Sequence, residues 1–219
     1  MKATTYKGIQ LPQLPASLSR EAPDELEDGG EIYATLLNGL DCSGRRLSRL
    51  TVEQSHLRQA TFLQATLAGL HILDGRIERS DFSAALCEKA RLHRVDLSGC
   101  RLLGTNFTES SFEDVRWMEC NLEQAGFVLA SFKAARFEKC ILRGASFEGA
   151  DLSKVVFADC DLSGADLRQA RLAGTDFRTA RLDGVKVSPN KLAGAIIAPA
   201  QAVQVVGLLG VVVQAEEIE

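Results

Sequence analysis

The chain is poor in the residues from which catalytic and metal centres are usually built. It holds three histidines, two tyrosines and one tryptophan in 219 residues. No apolar run approaches the ~20 residues that a membrane-spanning helix needs. The opening MKATTYKGIQLPQLP has no continuous apolar segment of the secretory kind. A cytoplasmic protein without membrane association is expected. Strong charge is missing too, since 25 Lys and Arg stand against 29 Asp and Glu, a formal −4. That mild value gives no reason to expect direct nucleic-acid binding.

Chemical motifs are equally scarce. There is no Gly-x-Gly-x-x-Gly, no phosphate loop ending in Lys-Ser/Thr, and no His-Glu-x-x-His. The stretch Gly144-Ala145-Ser146-Phe147-Glu148 fails the nucleophile-elbow pattern. Six cysteines are present without a Cys-x-x-Cys pair, so neither a zinc site nor a redox pair is indicated. His56, His71 and His93 share no spacing that would unite them, and acidic pairs such as Glu113-Asp114 read as solvated corners. The expectation is a protein that is not an enzyme, with no catalytic residue, metal or cofactor.

What the chain does have is a period. Every fifth position from Ile32 to Ile197 is apolar or cysteine, through 34 consecutive positions. All ten phenylalanines fall in this frame, and so does Trp117. Helices and flat strands repeat at 3.6 and 2, so neither buries one residue in five. A second rule holds two residues before each frame position. From 75 to 185 those places carry only Ala, Cys, Ser, Thr, Val or Gly. One large and one small inward residue per five describe one side of a coil that then turns a corner. Four such sides close a square turn of twenty residues. Ser-Gly and Ala-Gly follow many centres, as in Leu162-Ser163-Gly164 and Leu172-Ala173-Gly174, and glycine suits corners that need φ > 0.

The run DLSGADL at residues 161–167 and its relatives resemble the pentapeptide-repeat family. The resemblance covers about residues 32–198. It implies an all-β fold, a right-handed quadrilateral parallel β-helix of about eight coils. The expected interior includes Trp117, Phe127, Phe132, Phe137, Phe147 and Phe157 at the centres. Cys100, Cys120, Cys140 and Cys160 lie twenty residues apart and should form one internal ladder of free thiols, acting as small hydrophobes. Leu40, Arg45, Leu50 and Leu70 occupy places that should be small, so a distorted first coil is expected, with Arg45 escaping to solvent.

The two ends differ from the middle. Residues 1–31 carry Pro12, Pro15, Pro23 and the acidic run Asp24-Glu25-Leu26-Glu27-Asp28. They suggest an irregular cap along or over the rod, anchored by Leu11, Leu14, Leu18 and Leu26, with a disordered tail as the alternative. Residues 199–219 read as a short helix from Pro199 followed by a valine-rich strand. The resemblance implies that such a C-terminal segment pairs two copies, so Val203, Val206, Leu208, Leu209, Val211 and Val213 are candidate homodimer or cap residues.

Solenoids bind other macromolecules, so the expected function is a non-enzymatic scaffold presenting a rigid rod to a protein partner. Met118, Val128 and Leu129 are outward apolar positions and form the candidate partner patch. The quinolone-resistance branch of the family implies an alternative, a DNA-mimicking modulator of DNA gyrase or topoisomerase. That role asks for a strongly negative surface. Residues 32–199 hold 22 Lys or Arg against 20 Asp or Glu, so the rod itself is not acidic. Stacked pairs Asp151–Arg171 and Asp161–Arg181 are expected from the twenty-residue register.

Overall fold

The computed structural model describes residues 5–21, 26–208, 210–212 and 214. Its body is a solenoid of about eight stacked turns. At ~4.8 Å per coil the rod is about 40 Å long. The strands in chain order are β1 (Thr5–Tyr6), β2 (Ile9–Gln10), β3 (Glu31–Tyr33), β4 (Leu36–Asn38), β5 (Thr51–Glu53), β6 (His56–Arg58) and β7 (His71–Glu78). They continue with β8 (Arg91–Ser98), β9 (Ser111–Met118), β10 (Ser131–Glu138), β11 (Val156–Ala158), β12 (Asp166–Leu167) and β13 (Lys186–Val187), and a short helix α1 (Ala202–Leu208) follows. Neighbouring coils pair in parallel at a register of twenty. Phe112 faces Leu92 and Phe132, and Trp117 faces Leu97 and Phe137.

Each coil hydrogen-bonds to the next through backbone groups, so no coil satisfies itself. Phe62 N donates to Asp81 O at 2.7 Å, and Asp81 N donates to Ala60 O at 2.8 Å. The interior is apolar and closed to solvent, since every centre from Ile32 to Leu182 is buried. Aromatic rings stack in columns. Trp117, Phe137, Phe157 and Phe177 form one, with successive centroids 4.3, 5.0 and 5.3 Å apart. Phe107, Phe127 and Phe147 form a second at 5.4 and 5.0 Å. Each ring removed from water contributes roughly 1.5–3 kcal/mol, and stacking spreads that gain along the axis. Phe132 stacks on Phe112 at 4.8 Å.

The small positions do more than fill space. Thr105 Oγ1 donates to Phe82 O at 2.8 Å, and Thr175 Oγ1 to Leu152 O at 2.8 Å, each reaching 23 residues back. The cysteine ladder does the same with sulfur, as when Cys100 Sγ meets Ile77 O and Cys140 Sγ meets Trp117 O, both at 3.5 Å. All six cysteines are buried free thiols, and burial pushes the Cys87 thiol above its ordinary range.

The corners differ from the sequence expectation. Glycine is not what makes them possible. Among the described residues of the rod, twenty non-glycine residues adopt positive φ, all at the second place after a centre; Arg49 (φ 59) and Asp114 (φ 53) are examples. The left-handed conformation costs about 1–2 kcal/mol per residue. Inter-coil bonds made at the same residues offset it, as in Gln54 N to Leu73 O at 2.9 Å. Glycine is demanded on contact grounds away from the corners, at Gly75, where a Cβ would lie 2.5 Å from Cγ2 of the buried Ile72.

The first coil is also more regular than expected. Glu31, Ile32 and Tyr33 pair in register with Thr51, Val52 and Glu53. Leu50 and Leu70 are simply buried in the slots meant for small residues. Arg45 is exposed, and its guanidinium donates to the Leu26 carbonyl. Leu26 enters the core at that end.

At the other end, Pro199–Gln201 forms a 3-10 turn leading into α1. Gln201 Nε2 donates to Phe177 O and Ala180 O at 2.8 and 2.7 Å, capping the last carbonyls. The expected valine strand is not formed at the described residues Val211 and Val212. A strand needs a neighbour to satisfy its backbone, and this segment has none beside it among the described residues. Leu209 and Val213 lie outside the described residues.

Candidate interaction surface

The described part of the first thirty residues lies against the rod. β1 and β2 form an antiparallel hairpin closed by Lys7 (φ 46) and Gly8 (φ 89), both positive as a type I′ turn requires. Ile9 is 3% exposed, making it the buried anchor of this arm. It was not among the leucines expected to anchor the segment. Of those, Leu11, Leu14 and Leu18 are half-buried, and only Leu26 is fully buried.

The arm is held mainly by carboxylates that grip its backbone. Gln10 N donates to Asp114 Oδ1 at 2.9 Å, and Gln13 N donates to Asp74 Oδ1 at 2.9 Å. At the hairpin tip, Lys7 Nζ donates to Glu138 at 3.1 Å, and the Tyr6 hydroxyl donates to the same carboxylate at 3.3 Å. Contacts therefore fall at residues 7, 10 and 13. The spacing is a ruler. Asp74 and Asp114 sit two coils apart, about 9.6 Å, and three extended residues span about 10 Å.

The rod side of this contact is fixed by ion pairs. Arg94 clamps Asp74 with bonds of 2.7 and 2.6 Å. Arg116 clamps Asp96 at 2.8 and 2.6 Å, and its guanidinium lies 4.7 Å from the Tyr6 ring centroid. Arg136 donates to Glu138 at 2.6 Å. Burial pushes Asp74 upward, but the Arg94 hydrogen bonds and the Gln13 amide outweigh it and hold the carboxyl below its ordinary range. Glu138 is likewise pushed up by burial and brought below its ordinary value by Arg136 and Lys7.

Asp114 is thus buried at 5% exposure. The expectation of a solvated Glu113-Asp114 corner fails at Asp114, over which the arm lies, while the Glu113 side chain stays 42% exposed. His93, Glu113 and Asp114 also come close enough together to hold a metal ion. Their donor atoms are already engaged: Glu113 pairs with Lys133, Asp114 accepts the Gln10 amide, and His93 Nε2 faces Arg94 Nη1 at 3.1 Å. The cations beside them disfavour a further cation. Sequence alone could have found this cluster, since 93 and 113 are one coil apart.

Beyond the hairpin tip the same face continues as an open groove of about 530 Å³. Val156 and Ala158 are its low floor. Arg136, Glu138 and Lys7 close one end, and Asp176 and Arg178 the other. The depression exists because small side chains at 156 and 158 lie between coils that carry long charged ones.

The sequence-derived patch is not brought together. Met118 lines this groove, while Val128 and Leu129 stand half a coil away, on the opposite side of the rod. Leu129 is 59% exposed and rests over Gly149. Of the two expected ladders, Arg171–Asp151 forms at 3.4 Å. Asp161 instead pairs with Arg143, and Arg181 with Asp183. The interior residues Trp117, Phe127, Phe132, Phe137, Phe147, Phe157, Cys100, Cys120, Cys140 and Cys160 are all buried. Trp117 keeps an indole N–H with no partner among the described residues. In the C-terminal segment Val203 and Val211 are exposed and Val206 is half-buried, while Leu208 closes α1. No helix is long and apolar enough to cross a membrane among the described residues.

The pentapeptide repeats model matches residues 130–169 and 160–188, and the pentapeptide repeat region model matches residues 71–137. Together they cover residues 71–188, more than half of the chain. Among solved structures, a trypsin-treated variant of QnrB1, a plasmid-mediated fluoroquinolone resistance protein, matches with a TM-score of 0.43 and 19% identity. That match covers 90% of this chain and 97% of the other. HetL, a pentapeptide repeat protein involved in heterocyst differentiation regulation from Nostoc sp. strain PCC 7120, gives 0.38 and 21%, covering 78% and 87%. A pentapeptide repeat protein, Rfr23, from the cyanobacterium Cyanothece 51142 gives 0.31 and 24%, over 49% of this chain and 63% of that one, less than two thirds of its length. Among curated proteins none matches the chain in sequence. With its twenty-residue coils, its large and small inward positions and these family matches, the chain belongs to the pentapeptide-repeat family.

Proposed function

We propose that this protein is a non-enzymatic interaction scaffold, cytoplasmic and homodimeric, which offers a rigid β-helical rod to a protein partner. The observation that carries this reading is the fixed exterior. Stacked coils hold outward side chains at a constant pitch, and paired ions such as Arg94–Asp74 and Arg116–Asp96 lock their positions. Such a surface costs little entropy to bind, because its side chains are already ordered. Dimerisation through the C-terminal end is supported by Val203, Val211 and Val212, which are 62%, 52% and 78% exposed.

A photo-crosslinking residue placed in turn at Leu129, Leu103 and Val156 of the full chain, in the native host, tests the scaffold reading. One dominant protein adduct from at least one position is expected, at native expression. Diffuse labelling from all three would remove the reading. Light scattering of a chain lacking residues 199–219 tests the dimer, and halving of the mass is expected.

The alternative is a DNA-mimicking modulator of gyrase or topoisomerase. It requires an anionic exterior, and here many carboxylates are neutralised by arginine or lysine, as at Arg178–Asp176 and Arg168–Asp166. A supercoiling assay with purified gyrase, with and without a quinolone, decides between the two. No change at large molar excess is expected, and inhibition or protection would reverse the order.

A further inference from the structure

The face beneath the arm carries more than is needed to tether a terminus. Its carboxylates are oriented by the rod's own arginines, since Arg94 holds Asp74 and Arg136 holds Glu138 with no help from the arm. Asp74 and Asp114 accept main-chain N–H groups, so they read an extended backbone and not the identity of Gln10 or Gln13. Besides Tyr6 at the turn, which meets Glu138 and Arg116, side-chain discrimination comes from a basic residue at Glu138 and one buried apolar residue, Ile9. The arm also leaves space unused. It reverses direction at Lys7–Gly8, and the groove floored by Val156 and Ala158 continues past that turn.

We infer that this face is a binding surface for an extended peptide segment of a partner protein, and that the arm is its resident, exchangeable occupant. The inference rests on the interaction reading above and gives it a location. The segment that fits has a lysine or arginine, an apolar residue two positions later, and free main-chain amides three and six positions after the basic residue. It lies on the rod as an added strand would lie on a sheet edge, held by backbone bonds with side chains setting specificity. A straight segment running on past its basic residue enters the groove that the hairpin cannot fill, and this gives an incoming chain contacts that the arm lacks. Competition with a covalently attached arm lowers the apparent affinity by the fraction of time the face is free.

The experiment uses the full chain and a labelled peptide of residues 5–16, TYKGIQLPQLPA, followed by fluorescence anisotropy. Two substitutions open the arm by different means: Ile9→Glu removes its buried anchor, and Gln10→Pro removes the N–H given to Asp114. Both opened chains are expected to bind the peptide saturably, at least about tenfold more tightly than the wild type. Adding Asp74→Ala and Asp114→Ala, which remove the acceptor oxygens, should abolish that gain, and a scrambled peptide should not bind. The inference is overturned if opened chains bind no better than the wild type, if the carboxylates make no difference, or if the scrambled peptide binds equally. It is also overturned if both opened chains lose the cooperative melting of the rod, because the arm would then be an integral part of the fold. None of these failures affects the crosslinking test at Leu129 and Leu103, on the opposite side.

Discussion

Two sides of the same rod are built from one repeat and behave differently. On the side facing the arm, β7 to β10 run eight residues without a break across two faces of the square. The pairs nearest the arm are close and shielded, with Arg116 and Asp96 side chains 13% and 10% exposed. On the opposite side the coils meet through isolated bridges, as at Leu86–Asn106. Its ion pairs are open to water: Lys89 and Glu109 are 3.7 Å apart and 72% and 52% exposed. The backbone repeat is common to both, so the difference comes from what covers the outer layer. The rod's own arginines orient the carboxylates on the covered side, and the arm shields those pairs from water, while the uncovered wall leaves its carboxylates solvated.

The interior underlies both sides, and breaking it abolishes the comparison altogether. Cys120→Arg or Ala145→Arg places a charge in a slot with no room and no partner. Loss of cooperative melting is expected for either variant, a cost of several kcal/mol. Retained melting would show that the small positions do not point inward.

Asp74→Asn addresses the covered side, leaving Arg94 without its carboxylate. A loss of about 2–3 kcal/mol in denaturant unfolding is expected. Glu109→Gln, its counterpart on the bare side, should cost less than about 0.5 kcal/mol. Equal effects would erase the distinction between the two sides.

Acid should act on the same contrast. Asp74 and Glu138 lie below their ordinary values of 3.8 and 4.5 in the folded chain. Their stabilising contribution is therefore present above those values and lost as pH falls through the lower folded ones. Proteolysis of the arm should increase as pH drops below about 4, before the rod itself melts. Simultaneous loss of arm and rod would contradict this order.

The smallest effect sharpens the reading of the bare corners. Ala84 holds φ 54 on the exposed wall, so Ala84→Gly should stabilise the chain by roughly 0.5–1 kcal/mol. A destabilised variant would mean that the alanine methyl makes a contact worth more than the strain.

How much of this was legible in the residues follows from which interactions are local to the repeat. The five-residue frame fixes what points inward, so Trp117, Phe137 and the cysteine ladder were readable one by one. Arg45 was readable as an outlier, but its remedy, the carbonyl of Leu26, was not, because the partner comes from outside the repeat. The same is true of the arm. Asp74, Asp114 and Glu138 look like ordinary surface acids in the frame, and only the path of residues 6–13 shows that they also receive donors from the arm. The register predicted which residues stack, and it could have placed His93 above Glu113. It could not choose between partners once several charges were within reach, which is why Asp161 pairs with Arg143 instead of Arg181. Met118 and Val128 looked alike because both are outward and apolar, yet ten residues is half a coil, and half a coil is the other side.

The most direct test of the account is hydrogen exchange in the full chain at neutral pH, read at the amides of Gln10 and Gln13. Protection is predicted at both, weaker than at rod amides such as Phe112, with Asp114→Ala releasing Gln10 before Gln13. Exchange of both amides at the rate of an unstructured peptide would contradict it.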